Sequence, residues 1–123
     1  MILADTSVWI DHLNLAEPEM TSLLNVRMVA MHPFVVGELS LGPLRNRTRT
    51  LADLDLLPRA ERVAQSNEVR HMIEQHRLYN RGIGWIDANL IATVAINDQL
   101  KLWTRDKPLR KIAEDLGLHG SFK

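Results

Sequence analysis

The sequence has no cysteine, which excludes disulfides and thiolate metal sites and is compatible with a reducing cytosol. It also lacks a charge excess of either sign. Lys plus Arg and Asp plus Glu number 15 each, so the strong positive field of a non-specific nucleic-acid binder is missing, and any nucleic-acid site has to be local. No apolar run reaches membrane-spanning length. The opening Met1-Ile2-Leu3-Ala4-Asp5 meets a charge before it could form a signal peptide. Fixed-period repeats, low-complexity tracts and Pro/Gly/Ser-rich linkers are absent as well. What remains is ordinary globular composition, 46% apolar and 24% charged over 123 residues. The expectation is a single domain over residues 1–123, cytoplasmic and without a membrane partner.

Ile2 to Ala4 reads as a very short buried strand, after which Thr6-Ser7 offers hydroxyl caps for a helix running to about Leu13. Glu17 to about Asn25 is a second helix with Pro18 in its first turn, and Met28 to Met31 suits another strand. Pro33 starts a helix from Phe34 to about Leu41, ended by Gly42-Pro43. A basic turn, Arg45 to Arg49, leads into a helix carrying Leu51, Leu54 and Leu57, which Pro58 stops. A charged helix from about Ser66 to Tyr79 follows, and then the most apolar one, from Ile86 to about Ile96. Leu100 to Thr104 is the next strand, and Pro108 to Leu116 the last helix, terminated by Gly117. Short strands alternating with helices predict an α/β fold, a mostly parallel central sheet sandwiched by helices in three layers.

Four acids stand out on this outline. In open α/β sheets ligands sit beyond the carboxyl ends of the strands, and Asp5 and Asp106 each follow a strand. Asp87 precedes Leu90, Ile91 and Val94 by three, four and seven residues, which puts it on the helical face that packs inward. Glu38 lies on or beside the inward face that Phe34, Val35 and Leu41 mark. A buried charge is costly unless paired, and no Lys or Arg lies within a turn of Glu38 or Asp87 on its helix. A bound cation would resolve both cases. Each acid also has a plainer role open to it: Asp5 and Asp106 as helix caps, Asp87 as a complement to its helix's positive end, Glu38 curled to solvent.

These residues resemble the motifs of the PIN-domain ribonucleases of the VapC toxin type. Ile2-Leu3-Ala4-Asp5-Thr6-Ser7-Val8-Trp9-Ile10-Asp11 resembles that family's opening strand and first acidic motif. Phe34-Val35-Val36-Gly37-Glu38-Leu39 is similar to the second, Gly84-Trp85-Ile86-Asp87-Ala88-Asn89-Leu90-Ile91-Ala92 to the third, and Leu102-Trp103-Thr104-Arg105-Asp106 to the fourth. The four fall in the family's order and span nearly the whole chain.

The resemblance implies a PIN-like fold and one acidic pocket, with metal ligation by Asp5, Asp87 and Asp106 and with Glu38 ligating directly or through water. Oxygen-only ligands suit Mg²⁺ or Mn²⁺. It further implies an RNA substrate cleaved by metal-activated water, a cognate VapB-type antitoxin and a homodimer. The alternative within the family is a non-catalytic PIN-like module that binds RNA or protein. Phosphotransfer receivers and haloacid-dehalogenase-like phosphatases need further acids where this chain has none, since Asp53 and Asp55 fall in a helix and Ser7 follows Asp5 by two residues.

Around the acids, Thr6 and Thr104 are read as hydrogen-bond donors to the carboxylates. Ser7 is read as a capping or packing residue, and Asp11 as solvent-facing. Arg45, Arg47, Arg49, Arg105 and Lys107 are the cations placed to meet substrate phosphates. The five histidines show no metal-ligand spacing and read as surface or partly buried, and Trp9, Trp85 and Trp103 read as packing residues.

Overall fold

The computed structural model describes residues 1–122. Three strands, β1 (Ile2–Ala4), β2 (Val29–Ala30) and β3 (Lys101–Trp103), run parallel in the order β2-β1-β3. Leu3 lies between Ala30 on one side and Leu102 on the other. Single parallel bridges, Met31 to Arg59 and Leu102 to His119, lengthen the pairing at both edges. All of β1 and β2 is buried. A parallel sheet is covered on both faces, so its strands are continuous apolar runs rather than alternating ones.

The cover is helical. Among the described residues the helices are α1 (Thr6–Asn14), α2 (Pro18–Asn25), α3 (Pro33–Ser40), α4 (Arg47–Asp55), α5 (Ser66–Gln75), α6 (Trp85–Ala95) and α7 (Lys107–Asp115). This is the α/β sandwich expected from the alternation of elements. Val8 and Trp9 of α1, Met20 of α2, Val35 and Leu39 of α3, and Leu109 and Ile112 of α7 join the strands in one core. Leu54 of α4 also belongs to it, with Leu51 of the same helix and Leu57 just beyond its end at the margin.

The apolarity of α6 has a direct cause, because two clusters claim it. Leu90, Ile91 and Val94 pack into the sheet core, while Ala88 and Ala92 pack with Val69 of α5 and Ala64 in a second cluster. A helix buried on both sides is apolar all round.

Several boundaries differ from those read in the sequence. Helix α5 stops at Gln75 rather than near Tyr79, because Arg77 and Asn80 adopt left-handed backbone (φ 53 and 60) and turn the chain back. Arg47 and Arg49 are in the first turn of α4 and not in the turn before it. At α1 the cap is Asp5 itself, not Thr6 or Ser7. Asp5 stays extended (ψ 177), so its carboxylate reaches the free N–H groups of the first turn. Gly117 ends α7 with φ +70, the conformation glycine supplies at low cost.

Candidate active site

All three strands end on one edge, and the residues that follow them meet there. Asp5 leaves β1 only 5% exposed. Its Oδ1 accepts hydrogen bonds from the backbone of Ser7 (2.9 Å) and Val8 (3.4 Å) and from the Ser7 hydroxyl. Its Oδ2 accepts from the hydroxyl of Thr104 at 2.5 Å. Thr104 is fully buried, and its oxygen accepts in turn from the Asp106 backbone N–H at 3.1 Å. One threonine after β3 therefore ties two acids to each other across the sheet edge.

The other acids come from helix starts and from α3. Asp106 is exposed and caps α7, with Oδ2 accepting from Leu109 N–H at 3.1 Å. Asp87 is the third residue of α6 and is half-buried, and its Oδ2 accepts from Gly84 N–H at 3.3 Å. Half-buried Glu38 accepts at Oε1 from the Thr6 hydroxyl at 2.7 Å. Capping and clustering thus coexist. Three of the acids sit at positive helix ends, which offsets part of the cost of gathering them.

Asp87 senses the whole group. Burial pushes its carboxyl above the usual range, and the negative charges of Asp106, Asp5 and Glu38 push it further, against the opposing Gly84 hydrogen bond. Among the described residues none of the four acids has an ion-pair partner. Protein donors also leave capacity unused. Oδ1 of Asp87, Oδ1 of Asp106 and Oε2 of Glu38 accept no hydrogen bond among the described residues. These are hard oxygens with unmet charge, so the donor set fits a hard divalent cation. The cage is not closed, however: among the described residues no three Asp, Glu or His side chains stand at metal-ligating spacing.

The cations are placed unevenly. Arg45, Arg49 and Lys107 are exposed. Arg47 folds back onto its own loop and donates to the carbonyls of Ser40 and of Gly42, the latter at 3.3 Å. The guanidinium of Arg105 grips Glu17 at 2.7 and 2.5 Å and Asp11 at 2.7 Å, and holds the Glu17 carboxyl below its ordinary range. Asp11, exposed as expected, is therefore not idle. Neither is Ser7, whose hydroxyl donates to Asp5 and accepts from Arg105 N–H at 3.1 Å. The sequence held a clue to this contact, a hydroxyl two residues after the first acid, but not its partner 98 positions away.

Two other side chains depart from expectation. Trp9 and Trp103 are buried packing residues, but Trp85, the first residue of α6, is 44% exposed because it lies beyond the core. His32 is neither surface nor partly buried; it is 1% exposed. It follows the edge of β2 into the core and caps α3, with Nδ1 accepting from Phe34 N–H at 2.9 Å. That bond fixes the tautomer with hydrogen on Nε2. Burial lowers the imidazole to about 4 from an ordinary 6.5.

Between those two values only the unfolded chain's residue 32 takes up the proton, so the contribution of His32 to folding stability is level above pH 6.5 and falls as the pH drops toward 4. At pH 5 the loss relative to pH 7 is about 2 kcal/mol. Urea midpoints at the two pH values measure it. His32→Asn keeps a cap acceptor and should flatten the difference.

Volume does not locate this site. Hollows of about 490 Å³ beside Met1, Asn97 and Leu100 and about 590 Å³ between α5 and α6 touch none of the four acids. A smaller one, about 140 Å³, is lined by Thr6 and Glu38. The chemistry is concentrated at the sheet edge, and that criterion carries more weight than size.

Comparison with known proteins adds two findings. The PIN domain family model matches residues 2–115. Over 121 residues, 96% of this chain and 94% of the relative, the sequence is 40% identical to "Ribonuclease VapC32" of Mycobacterium tuberculosis, in both strain CDC 1551 / Oshkosh and strain H37Rv.

Proposed function

The chain belongs to the PIN-domain family, on its VapC-type branch, and from that premise we propose that it is a divalent-metal-dependent endoribonuclease, the toxin of a VapBC-type pair. In this reading the whole of residues 1–123 is one catalytic domain. Mg²⁺ or Mn²⁺ is held by Asp5, Asp87 and Asp106, with Glu38 ligating directly or through water. The observation that carries it is the gathering of four acids at the sheet edge, tied through Thr104 and Thr6 and without an ion-pair partner among the described residues; burial first, and then the charges of Asp106, Asp5 and Glu38, hold the Asp87 carboxyl above its usual range. A bound cation supplies Lewis acidity toward phosphoryl oxygens and acidifies water.

The chain's own groups set the geometry. Thr104 holds Asp5 and the backbone of Asp106 together, and Thr6 aims Glu38. These hydroxyls spend one lone-pair direction of each carboxylate and so fix where the remaining oxygens point. Arg45, Arg49 and Lys107 are exposed and supply local positive charge for phosphates, in a chain whose net charge is zero. The partners are RNA, a VapB-type antitoxin and a second copy of the chain. No helix among the described residues is long and apolar enough to cross a membrane, and we place the protein in the cytoplasm with its RNA.

The test uses purified protein freed of antitoxin. It is expected to cleave RNA with Mg²⁺ or Mn²⁺, to stop with chelator, and to melt at higher temperature with metal. The stabilisation from binding the folded state alone is about 2.7 kcal/mol at a hundredfold excess over Kd. RNA binding without cleavage under any metal would instead favour the non-catalytic module.

A further inference from the structure

We propose that Arg105 is a positioning residue for the acidic centre: through a salt-bridge clamp on Asp11 and Glu17 it fixes the segment after β3 that places Thr104 and Asp106. The inference rests on the ribonuclease reading above. A cation between the fourth motif's threonine and aspartate invites assignment as a phosphate contact, and the geometry points elsewhere.

Among the described residues the guanidinium addresses three carboxylate oxygens. One nitrogen reaches Asp11 Oδ2 and Glu17 Oε1 at 2.7 Å each, and the other reaches Glu17 Oε2 at 2.5 Å. Its carbon lies 5.5 Å from the centre of the Trp103 ring, a buried core residue. The fork is thus braced from two sides, with charge pairing on one and an aromatic face on the other.

The braced residue sits within the acidic network. Its backbone N–H donates to the Ser7 hydroxyl at 3.1 Å, and that hydroxyl donates to Asp5. The preceding Thr104 donates to Asp5, and the following Asp106 donates its N–H back to Thr104. Asp11 belongs to α1, which Asp5 caps, and Glu17 precedes α2. The clamp therefore joins the two chain segments that carry Asp5 and Asp106, which the Thr104 and Ser7 hydroxyls also tie together. Within that segment the clamp is the contact that holds the Arg105 side chain, while the backbone is held by the Ser7 hydroxyl and the Thr104 hydroxyl.

Two variants separate holding from phosphate binding. Arg105→Met removes the cation, whereas the double variant Asp11→Asn/Glu17→Gln keeps the cation and removes the clamp. Both are expected to lower kcat about tenfold, with KM within about twofold and an unchanged salt dependence of kcat/KM, and both are expected to weaken Mn²⁺ affinity measured by calorimetry without RNA. Arg105→Lys should recover part of the loss, because a point charge can pair with one acid but not fork across two.

A phosphate contact predicts otherwise: Arg105→Met raises KM and flattens the salt slope by about one, while the double variant stays active. That result overturns the proposal. So does a lowered melting temperature with kcat and Mn²⁺ affinity unchanged, which would make the clamp merely structural. If the parent protein neither binds Mn²⁺ nor cleaves RNA, the ribonuclease reading fails and takes the proposal with it. A competent parent with unaffected variants sinks the proposal alone.

Discussion

Asp87→Asn is expected to lower metal-dependent RNA cleavage by about 100-fold or more, because changes to groups that merely support a metal ligand already cost about 10- to 100-fold. Its effect on stability should run the other way. The Asp87 carboxyl is raised by burial and by Asp106, Asp5 and Glu38, so its charge is a burden on the metal-free fold. Asparagine keeps an acceptor for Gly84 N–H and removes that charge. The metal-free variant should melt at or above the parent's temperature, while the shift produced by Mn²⁺ shrinks. A variant that cleaves at the parent rate would remove Asp87 from the site.

Asp5→Asn should lose activity similarly but destabilise as well. Asp5 accepts at Oδ1 from Ser7 and Val8 and at Oδ2 from Thr104, and an amide can face donors with only one of its two atoms. The pair of variants separates charge from capping.

The second large effect is expected at Thr104. Thr104→Val preserves shape but deletes a hydroxyl that donates to Asp5 in a buried setting and accepts from Asp106 N–H in a partly buried one. Cleavage should fall about 10- to 100-fold. Stability should fall by about 1–3 kcal/mol for the buried Asp5 oxygen left without its donor. Thr104→Ser, which restores the hydroxyl, should recover most of the activity. If valine keeps the parent rate while serine loses it, the hydroxyl does not orient Asp5 and the methyl group is what matters. Urea titration and initial cleavage rates on the same preparations give both readouts.

Much of this architecture is legible in the linear pattern because the determinants are local. Apolar runs such as Ile2-Leu3-Ala4, prolines at helix starts and glycine after the last helix each act within a few residues. The errors also have local causes. Thr6-Ser7 and Asp5 both stood as caps for α1 and the local pattern does not choose between them, and an arginine does not mark the left-handed turn at Arg77 that follows the end of α5. His32 looked peripheral because spacing between histidines says nothing about a single imidazole that follows a two-residue strand into the core.

By itself the sequence determined the alternation that makes a parallel sheet, the absence of thiol and disulfide chemistry, and four acids in the order of a PIN domain. Those are properties of short windows and of composition, read without knowing which segments meet. Only the tertiary structure decided what the acids touch. Thr104 reaches Asp5 across 99 positions, Arg105 reaches Glu17 across 88, and Glu38 is aimed by Thr6 from another helix. Such pairings arise because β1 and β3 lie side by side and end on one edge, a consequence of chain closure that no local pattern encodes.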